Sequence, residues 1–141
     1  MSAYFETDEQ RDAFLAEPRL AMLLTNRTDN APMGVPVWFE WDGEAIHMFA
    51  AKGTKKLKRI ERDPRISVLV TNHIGEREVW VAFDGTVEVS DGDTSELVGR
   101  LAAKYWDLDN PDYKATLEQW QQAEDMMVSL RLKPERIRAG A

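Results

Sequence analysis

Apolar residues along this chain keep two periods, and the switches between them mark its elements. Thr7 or Asp8 can cap a short helix over 8–17, with Phe14 and Leu15 on its buried side and Pro18 ending it. From Leu20 the texture becomes that of strands: 20–26, 33–41, 44–50, 66–72 and 79–89 are short segments rich in β-branched or aromatic residues, separated by turn signals. Arg27-Thr28-Asp29-Asn30 and Asp42-Gly43 are the clearest hairpin turns, the second because an Asp-Gly pair tolerates positive φ. Three consecutive strands joined this way predict an antiparallel meander.

Between the third and fourth strands, 54–63 reads as a short helix with Leu57 and Ile60 facing inward and Asp63-Pro64 stopping it. After Ser90-Asp91-Gly92-Asp93 the period lengthens again. Leu97, Leu101 and Tyr105 recur at i, i+4 and i+8, with Trp106 at the end of that helix. Asp109-Asn110-Pro111-Asp112 opens another helical segment carrying Leu117 and Trp120, and 127–132 reads as a last strand before Pro134. No internal repeat, low-complexity stretch or long linker divides the chain, so residues 1–141 are expected to form a single domain. The pattern predicts an α+β, mainly β protein: a small antiparallel barrel with peripheral helices. A barrel of this size is filled by its own side chains. A ligand should therefore lie on its outer surface, in a groove completed by a second subunit.

Charge adds the most specific feature. From Lys52 to Arg65 there are seven basic residues against two acids, a net of +5, whereas the rest of the chain has 11 basic and 23 acidic residues, a net of −12. The run follows a strand and opens a helix, so a Gly53-Thr54 turn would gather backbone N–H groups and the ammonium groups of Lys55 and Lys56 around one anion. This points to a phosphate anchor, with Lys58, Arg59 and Arg62 more exposed. An overall charge of −7 and the lack of aromatic residues inside the run argue against a nucleic-acid surface. The absence of cysteine removes disulfides, thiolate metal sites and a thiol nucleophile. His47 and His73 have no metal-ligand spacing around them, and no Gly-x-Ser-x-Gly elbow is present. With no apolar run of membrane-spanning length and no charged-then-apolar leader, the chain reads as cytoplasmic and membrane-independent.

Three separated blocks occur in an order that carries a family likeness: Asn30-Ala31-Pro32-Met33-Gly34-Val35-Pro36-Val37-Trp38-Phe39, then Lys52-Gly53-Thr54-Lys55-Lys56, then Arg62-Asp63-Pro64-Arg65-Ile66-Ser67-Val68. Together they resemble the split-barrel flavin-binding family related to pyridoxamine-phosphate oxidase, over roughly residues 18–90. A final stretch, Leu132-Lys133-Pro134-Glu135-Arg136-Ile137, is similar as well. The resemblance implies a split β-barrel homodimer with cofactor at the subunit interface. Val35, Pro36, Val37 and Trp38 would run beside the flavin ring, with Phe49 and Ala50 beside the ribityl chain. Lys52, Gly53, Thr54, Lys55 and Lys56 would hold the phosphate, and Glu78, on the strand after the basic helix, would lie close to the ring.

Three positions depart from the usual pattern: Ala50 replaces a common hydroxyl residue, Lys55 a frequent arginine, and Glu40 a basic residue that often contacts the cofactor. The function implied is an FMN-dependent oxidoreductase acting on a small molecule. A reductase using the deazaflavin coenzyme F420 is the near alternative, because its carboxylate tail would suit Lys52 and Lys58. A non-catalytic flavin- or haem-binding stress protein is the alternative of another class. An Arg-x-His arrangement for pyridoxamine phosphate is not seen near the C-terminus, which argues against a true pyridoxamine-phosphate oxidase.

Overall fold

The structure is a computed structural model that describes residues 4–141. Its elements are α1 (Asp8–Ala16), β1 (Ala21–Asn26), β2 (Pro32–Val37), β3 (Glu40–Trp41), β4 (Ile46–Ala51), α2 (Lys55–Arg62), β5 (Arg65–Thr71), β6 (Trp80–Ser90), α3 (Thr94–Tyr105), α4 (Pro111–Gln122), β7 (Met127–Leu132) and β8 (Arg136–Gly140). All strand pairs are antiparallel, in the path β2-β1-β5-β6-β7-β4-β3, with β8 on the free edge of β6. Burial alternates with period two in β1, β4, β5 and β7, as strands with one core-facing side require. Leu23, Phe39, Ile46, Met48, Val68, Phe83, Leu130 and Leu132 fill the curled sheet. A smaller cluster of Val98, Ala102 and Leu117 lies between α3, α4 and the outer face of β4.

β6 joins the two halves of the barrel. Its first part, through Thr86, pairs with β5, and the residues from Val87 onward pair with β7. Gly85 stands at the change of partner: a Cβ there would lie 3.0 Å from the Leu132 side chain and 3.3 Å from the main chain at Lys133 and Glu135. A side chain here would press on Leu132 and the turn after β7, so glycine suits this close approach.

The structure departs from the sequence pattern at four points. The expected strand over 33–41 is broken, for β2 ends at Val37 and β3 begins at Glu40. These two strands lie at opposite ends of the sheet path, so the expected meander becomes two separate hairpins, β1–β2 and β3–β4. The physical reason is at Phe39, whose amide donates to the Tyr105 hydroxyl at 3.3 Å and whose carbonyl accepts from Lys104 Nζ at 2.8 Å. Side chains of α3 thus replace strand partners at the break. Secondly, β7 is not the last strand: β8 follows Pro134 and pairs with β6 as an edge strand. Thirdly, Arg59 is half-buried rather than exposed, because its Nε donates to Thr25 Oγ1 at 2.8 Å. Lastly, Glu78 lies in the loop before β6 and not on the strand.

The α3 end that holds the break is also sensitive to protonation. Lys104 Nζ donates to the carbonyls of Leu15 and Phe39 and lies 4.0 Å from the Phe39 ring centroid. Burial pushes its ammonium down to about 8 from 10.5, against the opposing attraction of Glu40. Burial pushes the Tyr105 phenol up to about 12 from 10.0, against the amide hydrogen bond of Phe39. Between pH 8 and 10.5 the unfolded chain holds a proton that folded Lys104 has released, so stability rises with pH. Above pH 10.0 the unfolded phenol ionises while folded Tyr105 stays neutral, so stability falls. Urea unfolding across this range should show a maximum near pH 10. In Lys104→Met the rise should vanish, and stability at neutral pH should drop by about 1–3 kcal/mol for each carbonyl left without a donor.

Candidate cofactor groove

The break between β2 and β3 leaves the barrel split along one side. β2 pairs only with β1, and β3 covers β4 only at Ile46 and His47, so the facing edges of β2 and of the second half of β4 have no strand between them. Within this split runs a groove of about 270 Å³ lined by Leu20, Pro36, Val37, Trp38, Phe49, Lys56 and Trp120. Trp38 is stacked on Tyr105, with ring centroids 5.0 Å apart, and meets Trp106 edge-on at 4.8 Å. Trp120 stands 6.0 Å from both Trp38 and Phe49. α4 presents it from a helix begun by the Asn110 side chain, which accepts from the Asp112 amide at 2.9 Å, and by Pro111. The walls are therefore rigid aromatic and aliphatic surfaces, with a strand edge along one side.

Lys56 supplies the one charge in the lining, and burial holds its ammonium below the ordinary lysine value. It enters from the first turn of α2, where the chain reverses at Gly53 with φ +82°. A Cβ at Gly53 would meet nothing within 4 Å, so it is the left-handed backbone and not crowding that favours glycine there. Thr54 is the residue before α2, but its hydroxyl turns back to donate to the Ala51 carbonyl at 2.9 Å, and no side chain caps the helix. The first turn also carries Lys55 and Lys56 and no acid, the reverse of what the helix dipole favours. On a neighbouring face of α2, Lys55 joins Arg27, Thr28, Lys58, Arg59 and Arg62 around a second hollow of about 360 Å³.

Of the residues singled out in the sequence, Pro36, Val37, Trp38, Phe49 and Lys56 meet in the groove. Gly53 and Thr54 build its adjoining turn, and Lys55 faces the second hollow. Val35 packs against the barrel core, and the Ala50 side chain lies within that core at 1% exposure, leaving only its main chain for a ligand. Lys52 turns away to pair with Asp91 at 3.0 Å. Glu78 is exposed in the loop between β5 and β6, two residues beyond Glu76, which the buried Arg19 grips at 2.7 and 3.0 Å. Neither Lys52 nor Glu78 lines the groove.

Glu40 also has a different setting from the one its sequence position suggests. Its carboxylate is bound bidentately by Arg100 at 2.9 and 3.1 Å. It pairs across to His47, four residues or about 13 Å along β4 from Ala51 and the α2 turn. The charge is both compensated and remote from Lys55 and Lys56 at the α2 turn. Leu20, Trp120, Arg27 and Thr28 line the two hollows without having been singled out. Trp120 had a visible signal, since it stands at i+3 from the buried Leu117; the others are placed by the way β1 and its turn meet α2.

The groove can accept a flat ring system along the strand edge and an acidic substituent at the α2 turn. Its lining offers no carboxylate, hydroxyl or imidazole, so the chemistry of a reacting group must come from what it binds. No helix among the described residues is long and apolar enough to cross a membrane.

The chain is similar in structure to an F420 reductase, with 21% identity over 90% of this chain and 94% of the other and a TM-score of 0.72. It is also similar to a FAD-binding protein from Mesorhizobium loti, with 20% identity, coverage of 99% and 92%, and a TM-score of 0.62. The haem storage protein HutZ from Vibrio cholerae matches with 16% identity, coverage of 97% and 95%, and a TM-score of 0.69. At these identities the likeness is one of fold. A search of the curated proteins finds no match. The pyridoxamine 5'-phosphate oxidase family profile matches residues 7–139, and the chain belongs to that family.

Proposed function

We propose that the groove binds a flavin-type cofactor, FMN in the first instance, and that the protein is an oxidoreductase acting on a small molecule. The observation that carries this reading is the first turn of α2, whose amides no side chain caps and whose Lys56 lines the end of an aromatic-walled groove, with Lys55 next to it on the same turn. A phosphate there would satisfy amides that no side chain caps and would relieve the unfavourable lysine–dipole arrangement. Pro36, Val37 and Trp38 would hold the ring by main-chain and stacking contacts, while Phe49 and Trp120 would exclude water from it. The bound flavin would supply the hydride chemistry. The protein's part is to orient the ring and keep its reacting face dry.

Deazaflavin F420 is the second reading, favoured by the further basic hollow on a neighbouring face of α2, where a cofactor with more acidic groups would find additional partners. A carrier without turnover differs from both in binding the cofactor without passing electrons to a substrate. Replacing Lys55 and Lys56 together by Ala should weaken FMN binding strongly at low salt while leaving the fold intact, since charge-assisted hydrogen bonds contribute about 1.5–3 kcal/mol each. Fluorescence titration of FMN checks this, and equal affinity in variant and parent would remove the anchor from the account.

The groove also needs a second wall. At about 270 Å³ it is smaller than the roughly 300–1,000 Å³ typical of ligand pockets, and it is open on one side. The outer face of the β1–β5–β6–β8 half carries a mainly apolar hollow of about 400 Å³ lined by Leu24, Ser67, Leu69, Thr71, Trp80, Ala82 and Arg138. We assign this face to a second copy of the chain, giving a homodimer in which each protomer helps close the other's groove. Leu69→Asp places a charge on that face without entering the core. It should convert the dimer to a monomer by light scattering and weaken FMN binding in parallel; a variant that stays dimeric would exclude this interface.

A further inference from the structure

The hollow between α2 and the β1–β2 turn lies outside the groove, and a groove ligand with a single phosphate, such as FMN, leaves it without a role. We infer that it is a separate subsite for a small polyanion of the diphosphate class. Lys55, Lys58, Arg59 and Arg62 stand at i, i+3, i+4 and i+7 on one face of α2, and Arg27 faces them from the turn. Five of the six lining residues are cationic, the sixth is Thr28, and no carboxylate is among them. Like charges at i, i+4 destabilise a helix, and this face has two such pairs, Lys55 with Arg59 and Lys58 with Arg62. On a chain of net charge −7, an ordinary solvated face would not gather one sign so closely.

The nearby acids are engaged elsewhere or lie to one side. Asp63 accepts from Asn26 at 3.1 Å and from Arg65 Nε at 3.0 Å. Asp29 forms an exposed ion pair with Arg27 at 3.6 Å, which salt and solvent screen and which occupies one of the Arg27 donors. Two of the guanidiniums are also held in place. Arg59 donates to Thr25 Oγ1, whose residue is 2% exposed, and Arg62 donates to the Asn26 carbonyl. A guanidinium has five N–H donors, so these single bonds orient the group and leave its other donors available. The ammonium groups of Lys55 and Lys58 make no hydrogen bond or ion pair among the described residues.

The spread of the charges decides the class of ligand. From Lys55 to Arg62 the helix rises about 10 Å, more than one phosphate bridges, so two adjacent acidic groups match the array better than one. Such groups could belong to a free diphosphate or to the far end of a dinucleotide whose ring fills the groove. The inference itself does not depend on what fills the groove.

Calorimetric titration of the flavin-free protein with inorganic pyrophosphate and with inorganic phosphate tests it. Pyrophosphate should bind at least about tenfold more tightly than phosphate, with a steep loss on adding salt. In the double variant Arg27→Gln/Lys58→Gln, pyrophosphate affinity should fall at least about tenfold, with unchanged circular dichroism and unchanged FMN affinity. If FAD affinity falls in that variant while FMN affinity holds, the polyanion belongs to the groove ligand's far end; if both hold, it is a separate molecule. Equal binding of pyrophosphate and phosphate, or undiminished pyrophosphate binding in the variant, would overturn the subsite. Loss of FMN in step with pyrophosphate would overturn it too, by making the hollow part of the FMN anchor.

Discussion

The capture of Phe39 by two side chains of α3 is the interaction on which the rest of the structure depends. A strand continuing from β2 through Glu40 would keep its main-chain hydrogen bonds within one sheet. Here the Phe39 amide and carbonyl are taken by Tyr105 and Lys104, so the chain can leave β2 at one end of the sheet and start β3 at the other. Lys104 also binds the Leu15 carbonyl and Tyr105 donates to the Arg19 carbonyl at 2.6 Å, which ties the end of α1 to the same point. The split in the barrel, the exposed edge of β2 and the position of Trp38 against α3 all follow from it.

Electrostatics gives the split its direction. The groove walls are almost uncharged, while its end at α2 carries the Lys56 ammonium and the uncapped first-turn amides, which have the same polarity. A cationic first turn opposes the helix dipole, and an anion bound there would offset that opposition. The acid-rich remainder does not cancel this field. Glu40 is bound by Arg100, and Asp63 is hydrogen-bonded to Arg65 and Asn26, which hold its carboxyl well below the usual carboxylate range.

Local features were legible in the sequence. The apolar periods located α1 to α4, and the Asp-Gly turn appears as expected, with Gly43 at φ +95°. The family likeness, resting on three ordered blocks, foretold the split barrel. Distant partners were not legible. Nothing near Phe39 announces that residues 65 and 66 positions away will take its hydrogen bonds. Lys52 looked like part of the anchor because it precedes Gly53, yet its partner Asp91 comes from the turn after β6. Arg59 looked exposed because Thr25 belongs to another strand. β8 escaped because Arg136-Ile137-Arg138 alternates weakly and follows a proline, and only the free edge of β6 gives it a place.

The central claim is that a flavin-type ligand lies along the β2 edge with its acidic group at the first turn of α2. Amide chemical shifts followed during FMN titration of isotopically labelled protein test it directly. The account predicts that the largest changes fall on Val35 and Val37 and on Lys55, Lys56 and Leu57, with Trp38 and Trp120 indole signals moving in the same saturation curve. Saturable binding whose changes fall elsewhere, leaving the α2 amides still, would contradict it.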